Sequence, residues 1–223
     1  MTRETLETLV NEATGRTDKS TLTLAALNLA VAEVSAQRLW SDLMVRDEVT
    51  ILEGSLSVDL ASDVARVASV VVVDGTLSRP LNCRPRTWIA QRYSDPTSWP
   101  VERPQFGYLE GRTLFVVPRP NQDYVIRYDY FKLHPELTDP TSELLIRHAS
   151  AAVVAWATYW VFQSIEKLKE AEQWYSTYKI HLASAKKVDT DNSVTRYQMD
   201  SRQSPQNEPY KYYWLDPFVR SQR

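Results

Sequence analysis

The chain has 223 residues, enough for one domain with a sizeable hydrophobic core and an added tail. Its 26 basic and 28 acidic side chains nearly cancel, so charge alone gives no indication of a protein that binds nucleic acid or an anionic membrane. The single cysteine, Cys83, excludes an intramolecular disulfide, and together with three scattered histidines it offers too few ligands for a metal site.

Residues 1–47 are predicted to form the N-terminal helices. Apolar residues at helical spacing predict a short first helix, which Gly15 ends. No Gly or Pro occurs from Thr21 to Val45, where apolar residues recur at helical intervals, so we predict an amphipathic second helix over this range. Trp40 and Met44 are expected to close its far end against the following β region.

Residues 48–136 are predicted to form an antiparallel β-rich insertion. Val49–Ile51 and Ser55–Leu60 alternate between apolar and polar residues on either side of Gly54, which predicts a hairpin. Further along, Arg84–Tyr93 is predicted to form a short helix or turn, because its proline suits a first helical turn.

A valine-rich segment predicts the centre of the sheet. Arg66–Val73 ends in four consecutive valines and is apolar on both faces, which predicts a central strand covered on both sides. Asp74-Gly75 is a turn signal. The return strand, Leu77–Leu81, is predicted at the edge of the sheet because Pro80 cannot donate a hydrogen bond to a neighbouring strand.

The stretch from Arg103 to Lys132, RPQFGYLEGRTLFVVPRPNQDYVIRYDYFK, completes the β region. Phe106–Leu109 and Leu114–Val117 are short apolar runs on either side of a Glu-Gly turn, which predicts a hairpin. Tyr124–Phe131 alternates between apolar or aromatic and charged residues, as is typical of a half-buried strand. We count about six strands joined by short turns, and therefore expect antiparallel pairing throughout.

Residues 137–187 are predicted to form one long helix that packs on the N-terminal helices. Asp139 is a suitable cap with Pro140 at the first helical position, and no further Gly or Pro follows until Pro205. A continuous helix would be roughly 70 Å long, which exceeds the diameter of a small domain. We therefore expect either a break after Ser164 or a projection that meets a partner.

Residues 188–223 are predicted to form an extended docking tail, because a polar linker precedes an aromatic end that buries too little apolar surface to fold by itself. Its charges balance, which argues against a DNA-binding arm. The fold class is therefore α+β: a helical bundle of the N-terminal helices and one long C-terminal helix, with an inserted antiparallel β domain and an extended C-terminal tail. The candidate docking residues of the tail are Tyr210, Tyr212, Tyr213, Trp214 and Phe218.

The N-terminus and the apolar runs contain no sign of export or membrane insertion. The first residues are polar and charged, unlike a signal peptide. The longest apolar-rich run, Ala149–Phe162, is too short to span a bilayer. We expect a soluble protein made in the cytoplasm.

Catalytic motifs do not stand out in the sequence. It contains no Gly-rich phosphate loop, no His-Glu-x-x-His and no Gly-x-Ser-x-Gly. The histidines are far apart, and pairs of carboxylates suited to glycoside hydrolysis arise easily among 28 acidic residues. We predict no enzyme, no cofactor and no metal. The groups considered are His134, His148, His181, Glu110, Asp123 and Asp129.

Two sets of residues are candidates for contacts between copies of the chain. On the last helix, Trp156 and Trp160 suit a core seam, whereas a second aromatic group, Trp174, Tyr175 and Tyr178, suits either the core or a subunit interface. The other set suits either a solvated face or salt bridges to a neighbouring subunit, and consists of Arg79, Arg84, Arg86 and Arg92.

The order of motifs resembles that of a known family. Within Arg103–Asp139, a basic-Pro segment and an aromatic-Gly-Tyr are followed by a Gly turn, an apolar run, Pro-x-Pro, an alternating Tyr-rich strand and His-Pro-Glu-Leu-Thr-Asp. The phrase Arg79-Pro80-Leu81 and the segment Arg86–Tyr93 fit the same layout. In this order of elements, over Asp18–Lys187, the sequence resembles the adaptor proteins of tailed bacteriophages, the head-to-tail connectors that dock under the portal.

The resemblance implies a structural virion protein of the neck, assembled in the host cytoplasm. Such adaptors form a homo-oligomeric ring, usually of twelve copies, that extends the DNA channel and offers a platform for a tail or nozzle protein. DNA passes through without sequence-specific binding, and no membrane takes part. The C-terminal segment commonly grips the portal protein, and the aromatic end from Tyr210 to Phe218 occupies that position here.

Other functions remain open from the sequence. One is a tail-associated peptidoglycan hydrolase, an activity credited to some relatives of adaptors. Another is a different neck or tail-tube component, such as a stopper or terminator. A third is a host-derived interaction module without a role in the virion.

Overall fold

The computed structural model describes residues 1–18, 20–93 and 99–201. In these residues the chain is an α+β protein with five α-helices and eight β-strands. The helices are α1 (Arg3–Thr14), α2 (Ser20–Ala36), α3 (Arg86–Arg92), α4 (Ser150–Ser164) and α5 (Leu168–Ser201). The strands are β1 (Met44–Ile51), β2 (Ser57–Asp59), β3 (Val64–Asp74), β4 (Leu77–Pro80), β5 (Asn82–Cys83), β6 (Phe106–Glu110), β7 (Thr113–Val117) and β8 (Tyr124–Lys132).

The first helix begins and ends at capping residues. The Thr2 hydroxyl accepts a hydrogen bond of 3.4 Å from the Thr5 amide at the start of α1. Gly15 ends α1 in the left-handed conformation, with φ 66°, as predicted. The second helix differs from the prediction, because α2 ends at Ala36, well before Val45.

α2 ends early because the turn that follows it satisfies one of its last carbonyls. The Val34 carbonyl accepts hydrogen bonds from the Gln37 amide at 3.3 Å and from the Trp40 indole at 2.9 Å. Met44, which was expected to close the helix, instead begins β1 and pairs with Phe131. No Gly or Pro marks this change from helix to strand, so the sequence pattern did not reveal it.

Strands β1, β8, β3 and β4 form, in that order, an antiparallel sheet. β3 lies inside this sheet and turns at Asp74 into the edge strand β4, as predicted. The expectation that β3 is covered on both faces is wrong, because Val70 and Val72 are buried whereas Val71 and Val73 are only half-buried. β8 buries one face, as its alternation predicts, through Tyr124, Ile126, Tyr128 and Tyr130.

Strands β2, β7, β6 and β5 form a second sheet. The predicted hairpin of β6 and β7 is present, with Gly111 at φ 59° in its turn. The predicted hairpin between the segments of β1 and β2 is wrong, because β1 pairs with β8 and β2 pairs with β7. The chain leaves the first sheet where the Gly54 amide donates to the Pro120 carbonyl at 2.8 Å, which redirects it toward the second sheet.

The expectation of antiparallel pairing throughout is wrong for β5 and β6, which pair in parallel. Their connection is long and contains α3, as predicted for that segment. A connection of this length can return the chain to the starting edge of the sheet, which a tight turn cannot do.

α4 begins at Ser150, so the predicted helix start at Asp139 and Pro140 is wrong. The segment before α4 instead runs beside the start of the chain, where Thr2 and Glu143 form a β-bridge. Its extended course lets it bury three large apolar side chains in the core beside the N-terminal helices, namely Leu137, Leu144 and Ile146.

The C-terminal helical segment breaks after Ser164, which is one of the two outcomes expected from its length. Glu166 takes a left-handed φ of 60°. Its amide donates to the Gln163 carbonyl at 3.1 Å, and the Lys167 amide donates to the Phe162 carbonyl at 3.0 Å. These two bonds form a Schellman motif, which ends α4 and lets α5 turn back and pack against it.

α5 has 34 residues. A helix of that length is about 51 Å long. It continues to Ser201, beyond Lys187, where the sequence predicted the helix to end. The first part of the predicted extended tail, residues 188–201, is therefore helical, and residues 202–223 lie outside the described residues.

Two main hydrophobic cores hold the described elements. Side chains of α1, α2, α4 and α5 share the first, which we call the helical core. Side chains from both sheets share the second.

A buried carboxylate fastens α5 to the turn after α2. Asp189 is 3% exposed and pairs with Arg38 Nε at 2.8 Å. It also accepts hydrogen bonds from the Ser41 amide at 3.0 Å and the Ser41 hydroxyl at 2.6 Å. Ser41 begins a short 3-10 turn, Ser41–Leu43, that leads directly into β1, so this contact links the helical core to the first sheet.

Candidate interaction surfaces

The carboxylates considered for catalysis make structural contacts. Glu110 pairs with Arg86 at 2.6 Å, and Asp129 pairs with Arg46 at 2.7 Å. Asp123 accepts a hydrogen bond of 2.8 Å from a backbone amide. Burial alone would raise the pKa of Asp129, but hydrogen bonds from Arg46 and a serine hydroxyl outweigh it and lower the pKa. Asp129 therefore stays ionised as the partner of Arg46.

The histidines and the cysteine do not form a reactive group. His134 Nε2 accepts a hydrogen bond of 2.9 Å from the Leu145 amide, and burial lowers its pKa, so the imidazole acts as a neutral acceptor. His148 and His181 are exposed and lie on different elements. Cys83 is half-buried, and burial raises the pKa of its thiol to about 11, which keeps the thiol protonated.

Neither a metal centre nor a membrane span is found in the parts of the chain that the structure describes. In residues 1–18, 20–93 and 99–201, no three or more His, Cys, Asp or Glu side chains are grouped so that they could hold a metal ion. The helices within these ranges are too short or too polar to cross a bilayer. Three surface features stand out instead.

The first feature is an arginine cluster on and beside α3. The segment from Gly75 to Tyr93 contains four arginines and no acidic residue. The guanidinium carbons of Arg84 and Arg92 lie 5.5 and 4.7 Å from the centre of the Trp88 ring. At these distances cation–π attraction holds both guanidinium groups close to the ring. The arginine cluster is defined as Arg84, Arg86, Trp88 and Arg92.

The second sheet anchors this cluster. The Trp88 ring centre lies 5.1 Å from that of Phe106 on β6, and Trp88 packs against a small core that includes Ile89. Arg86 is paired with Glu110, also on β6. The other two arginines of the cluster are exposed and have no carboxylate partner among the described residues. The cluster therefore presents two guanidinium groups that are positioned but not neutralised within the described chain.

The second feature is a row of aromatic rings that crosses from α4 to α5. The ring centres of Trp156 and Tyr159 are 6.1 Å apart, and those of Tyr159 and Tyr175 are 5.2 Å apart. The Tyr178 ring follows at 6.0 Å from Tyr175. Tyr175 is 42% exposed, and Lys179 Nζ lies 4.7 Å from its ring centre. The row thus includes one ring that is available to another molecule.

The residues that the sequence left open between core and interface lie at different depths on α5. Tyr178 is 4% exposed, its hydroxyl has no hydrogen-bond partner among the described residues, and burial raises its pKa to about 12. Trp174 is half-buried against the helical core, as are Trp156 and Trp160 of the expected core seam. Among the three open residues, Tyr175 has the exposure that a contact with another copy requires.

The third feature, an acidic ledge, was not singled out from the sequence. Residues 4–15 and residues 133–146 each contain three acidic residues and no lysine or arginine. The β-bridge between Thr2 and Glu143 brings these two segments together, and Arg3 is paired with Glu7 at 3.2 Å. The lack of basic residues in both segments was the signal that could have revealed the ledge. The acidic ledge is defined as the exposed carboxylates of Glu4, Glu136, Asp139 and Glu143.

Comparison with known families decides what kind of protein presents these surfaces. The family described as SU10 adaptor protein matches residues 1–209, nearly the whole chain. The chain belongs to the SU10 adaptor family. The resemblance to phage head-to-tail adaptors seen in the sequence is thereby confirmed. No curated protein matches the chain.

The SU10 adaptor family consists of phage structural proteins and is not a family of enzymes. Membership indicates association with other phage head and tail proteins and a place at the neck of the virion.

In this SU10 adaptor the candidate interface residues are spread over separate parts of the fold. The arginines of the arginine cluster are exposed beside the second sheet, whereas Trp174, Tyr175 and Tyr178 belong to α5 and the helical core. The structure therefore does not bring the two predicted sets together within one copy. The docking residues predicted for the tail lie outside the described residues, namely Tyr210, Tyr212, Tyr213, Trp214 and Phe218.

Proposed function

We propose that this phage adaptor forms a closed ring of twelve copies under the portal, extends the DNA channel and joins the head to a tail or nozzle protein. The match of residues 1–209 to the SU10 adaptor family carries the proposal. Each copy would repeat the same contact with its neighbour, and a heterologous contact of this kind closes a ring of identical subunits.

The exposed aromatic surface of α5 supports a contact between neighbouring copies. Tyr175 remains 42% exposed although it lies in a row of packed rings. Tyrosine is enriched at interfaces because it combines a large apolar ring with a hydrogen-bonding hydroxyl. Tyr175→Ala is therefore expected to weaken ring assembly while leaving the fold intact.

The end of the chain is proposed to grip the portal. α5 runs on past Asp189, where it is fastened to the turn after α2, as far as Ser201. This continuation amounts to about 18 Å of helix. The aromatic residues from Tyr210 to Phe218 follow after a polar segment. Aromatic anchors on such a segment bury more apolar surface by docking on a partner than by folding alone. The segment would therefore become ordered only when it docks on an assembled portal.

The charge balance supports a channel that lets DNA pass. The chain has a formal net charge of −2. A strongly basic lining would bind phosphates and retain the DNA. We expect acidic or neutral side chains along the bore, and a cryo-EM map of the ring that shows a basic lining would contradict this expectation.

The proposal is tested by the mass of the full-length protein with and without purified portal, measured by native mass spectrometry. The expected species contains twelve copies of the 25.7 kDa chain bound to portal. A protein that stays monomeric in the presence of portal overturns the ring.

The tail is tested separately. Deletion of Ser204–Arg223 should leave a folded protein that no longer binds portal, and Trp214→Ala should weaken portal binding by about 2 kcal/mol or more. Normal binding by the truncated protein refutes the role of the tail.

A further inference from the structure

The arginine cluster and the acidic ledge are complementary surfaces of the same chain. Arg84 and Arg92 of the cluster are exposed without a carboxylate partner among the described residues. The ledge carries four exposed carboxylates, and none of these forms an ion pair with another described side chain. Arg3 also lies at the ledge, but it is paired with Glu7. Each copy therefore has one surface with unpaired guanidinium groups and one with unpaired carboxylates among the described residues.

We propose that the arginine cluster of one copy docks on the acidic ledge of the next copy. The inference rests on the proposed ring and names the charged part of the contact that closes it. A ring requires two different surfaces that meet head to tail, each present once per copy. The cluster lies beside the second sheet and the ledge lies where the chain start meets the segment before α4, so they are separate surfaces of opposite charge.

Trp88 prepares the cluster for such a contact. Arg84 and Arg92 lie against its ring yet remain exposed, and the ring itself is held against Phe106. A guanidinium group that is already positioned loses less side-chain freedom on binding than a free surface cation. Its planar set of N–H groups also matches a carboxylate in two parallel hydrogen bonds. The ledge supplies carboxylates, which are the groups that this geometry recognises.

The distribution of charge favours a second copy over nucleic acid as the occupant. Binding to DNA through phosphates relies on an extended basic surface. Here the run of arginines without acidic residues is confined to residues 75–93, and acidic residues outnumber basic ones in the whole chain. A compact cluster of opposite charge to the ledge suits a local contact between proteins, where charge complementarity sets the register and excludes wrong orientations.

The test reverses the charge of each surface in the full-length chain and measures assembly by native mass spectrometry. Arg84→Glu combined with Arg92→Glu should place like charges opposite each other and weaken assembly by about two orders of magnitude. The same is expected from the other side when all four ledge positions are reversed together, by Glu4→Lys, Glu136→Lys, Asp139→Lys and Glu143→Lys. When the two reversed proteins are mixed, each meets an opposite charge on both sides, so rings of alternating variants are expected.

Two controls separate charge from other effects. Arg84→Lys combined with Arg92→Lys keeps the positive charge but loses the planar, stacked guanidinium groups, so it should assemble more weakly than wild type and much better than the charge-reversed protein. Lys187→Glu reverses an exposed charge on α5 and should assemble like wild type. Circular dichroism and urea unfolding of each variant establish that it folds.

The outcomes distinguish a failure of the contact between cluster and ledge from a failure of the proposed ring. Rings formed by the Arg84→Glu, Arg92→Glu protein overturn the docking of cluster on ledge, and so does a mixture that fails to assemble while wild type forms rings. If the Arg84→Glu, Arg92→Glu protein forms normal rings but no longer retains DNA, the cluster binds nucleic acid, and the docking of cluster on ledge is overturned as well. A wild-type protein that forms no ring, alone or with portal, overturns the proposed function and this contact with it.

Discussion

Replacement of Asp189 by Asn tests how α5 is fastened to the rest of the protein. Asn keeps the shape and one acceptor for Ser41 but loses the ion pair with Arg38. The carboxylate is 3% exposed, accepts two hydrogen bonds from Ser41 at 2.6 and 3.0 Å, and forms an ion pair with Arg38 at 2.8 Å. A hydrogen bond to a charged group contributes about 1.5–3 kcal/mol. Arg38 is 28% exposed and can partly return to water. We therefore expect the free energy of unfolding to fall by about 2 kcal/mol.

The assay is urea unfolding of the full-length protein at neutral pH, followed by far-UV circular dichroism. A loss of about 2 kcal/mol corresponds to a fall in melting temperature of roughly 4–8 °C for a protein of this size. Glu172→Gln removes a charge from an exposed position on the same helix. This control should stay within about 0.5 kcal/mol of wild type. If Asp189→Asn is as stable as the control, then apolar contacts alone hold α5 and the reasoning is wrong.

Three further substitutions have outcomes that follow from local geometry. Burial lowers the pKa of His134 below its ordinary value of 6.5, so the unfolded chain takes up a proton first, and stability that is present above pH 6.5 should be lost as pH falls through the folded-state pKa. His134→Gln keeps an acceptor for the backbone amide and should flatten this slope in urea titrations at several pH values; an unchanged slope would assign the effect to another group. Glu166→Gly should stabilise the protein by about 0.5–1 kcal/mol, because glycine adopts a φ of 60° without strain; a fall in the urea midpoint would contradict this. Gly107→Ala should destabilise the protein by about 1–3 kcal/mol, since its Cβ would lie 2.8 Å from Leu81 Cδ2 and 2.9 Å from the Phe115 carbonyl oxygen; a melting temperature equal to wild type would show that the second sheet can shift.

The β elements that the sequence predicted correctly depend on local signals. The alternation of Tyr124–Phe131 indicates the buried face of β8, and the Glu110-Gly111 pair indicates the β6–β7 turn. Both signals act within a few residues, because side-chain period and glycine backbone freedom are properties of short segments. The break after Ser164 was one of two outcomes that the length of the helical pattern left open, the other being a projecting helix.

The elements that were predicted wrongly depend on contacts between distant segments. α2 stops at Ala36 because the Trp40 side chain folds back onto a carbonyl of its last turn. The segments of β1 and β2 separate because Gly54 bonds to Pro120, far along the chain. Neither contact leaves a periodic signal in the sequence. Local patterns therefore predicted a second helix that is too long and a hairpin between the segments of β1 and β2.

The interaction surfaces were predictable in part. Four arginines without nearby acidic residues mark the segment before Tyr93, but their grouping around Trp88 depends on tertiary structure. The acidic ledge depends on the β-bridge between Thr2 and Glu143, which joins two segments far apart in sequence. Helical spacing placed Tyr175 and Tyr178 close together without telling which of them is buried. In the structure Tyr178 belongs to the buried row of α5, and Tyr175 lies beside that row and is exposed.

The fastening of α5 at Asp189 gives the helix a fixed point about two-thirds of the way along its length. A pull at Ser201 acts about 18 Å beyond this fixed point. Tension that passes the fixed point enters Ser41 and then β1, whose eight residues are all paired with β8. The first sheet would therefore bear traction from the end of the chain before the second sheet does. Under the proposed grip on the portal, load at the end of the chain would reach the β surface through Ser41.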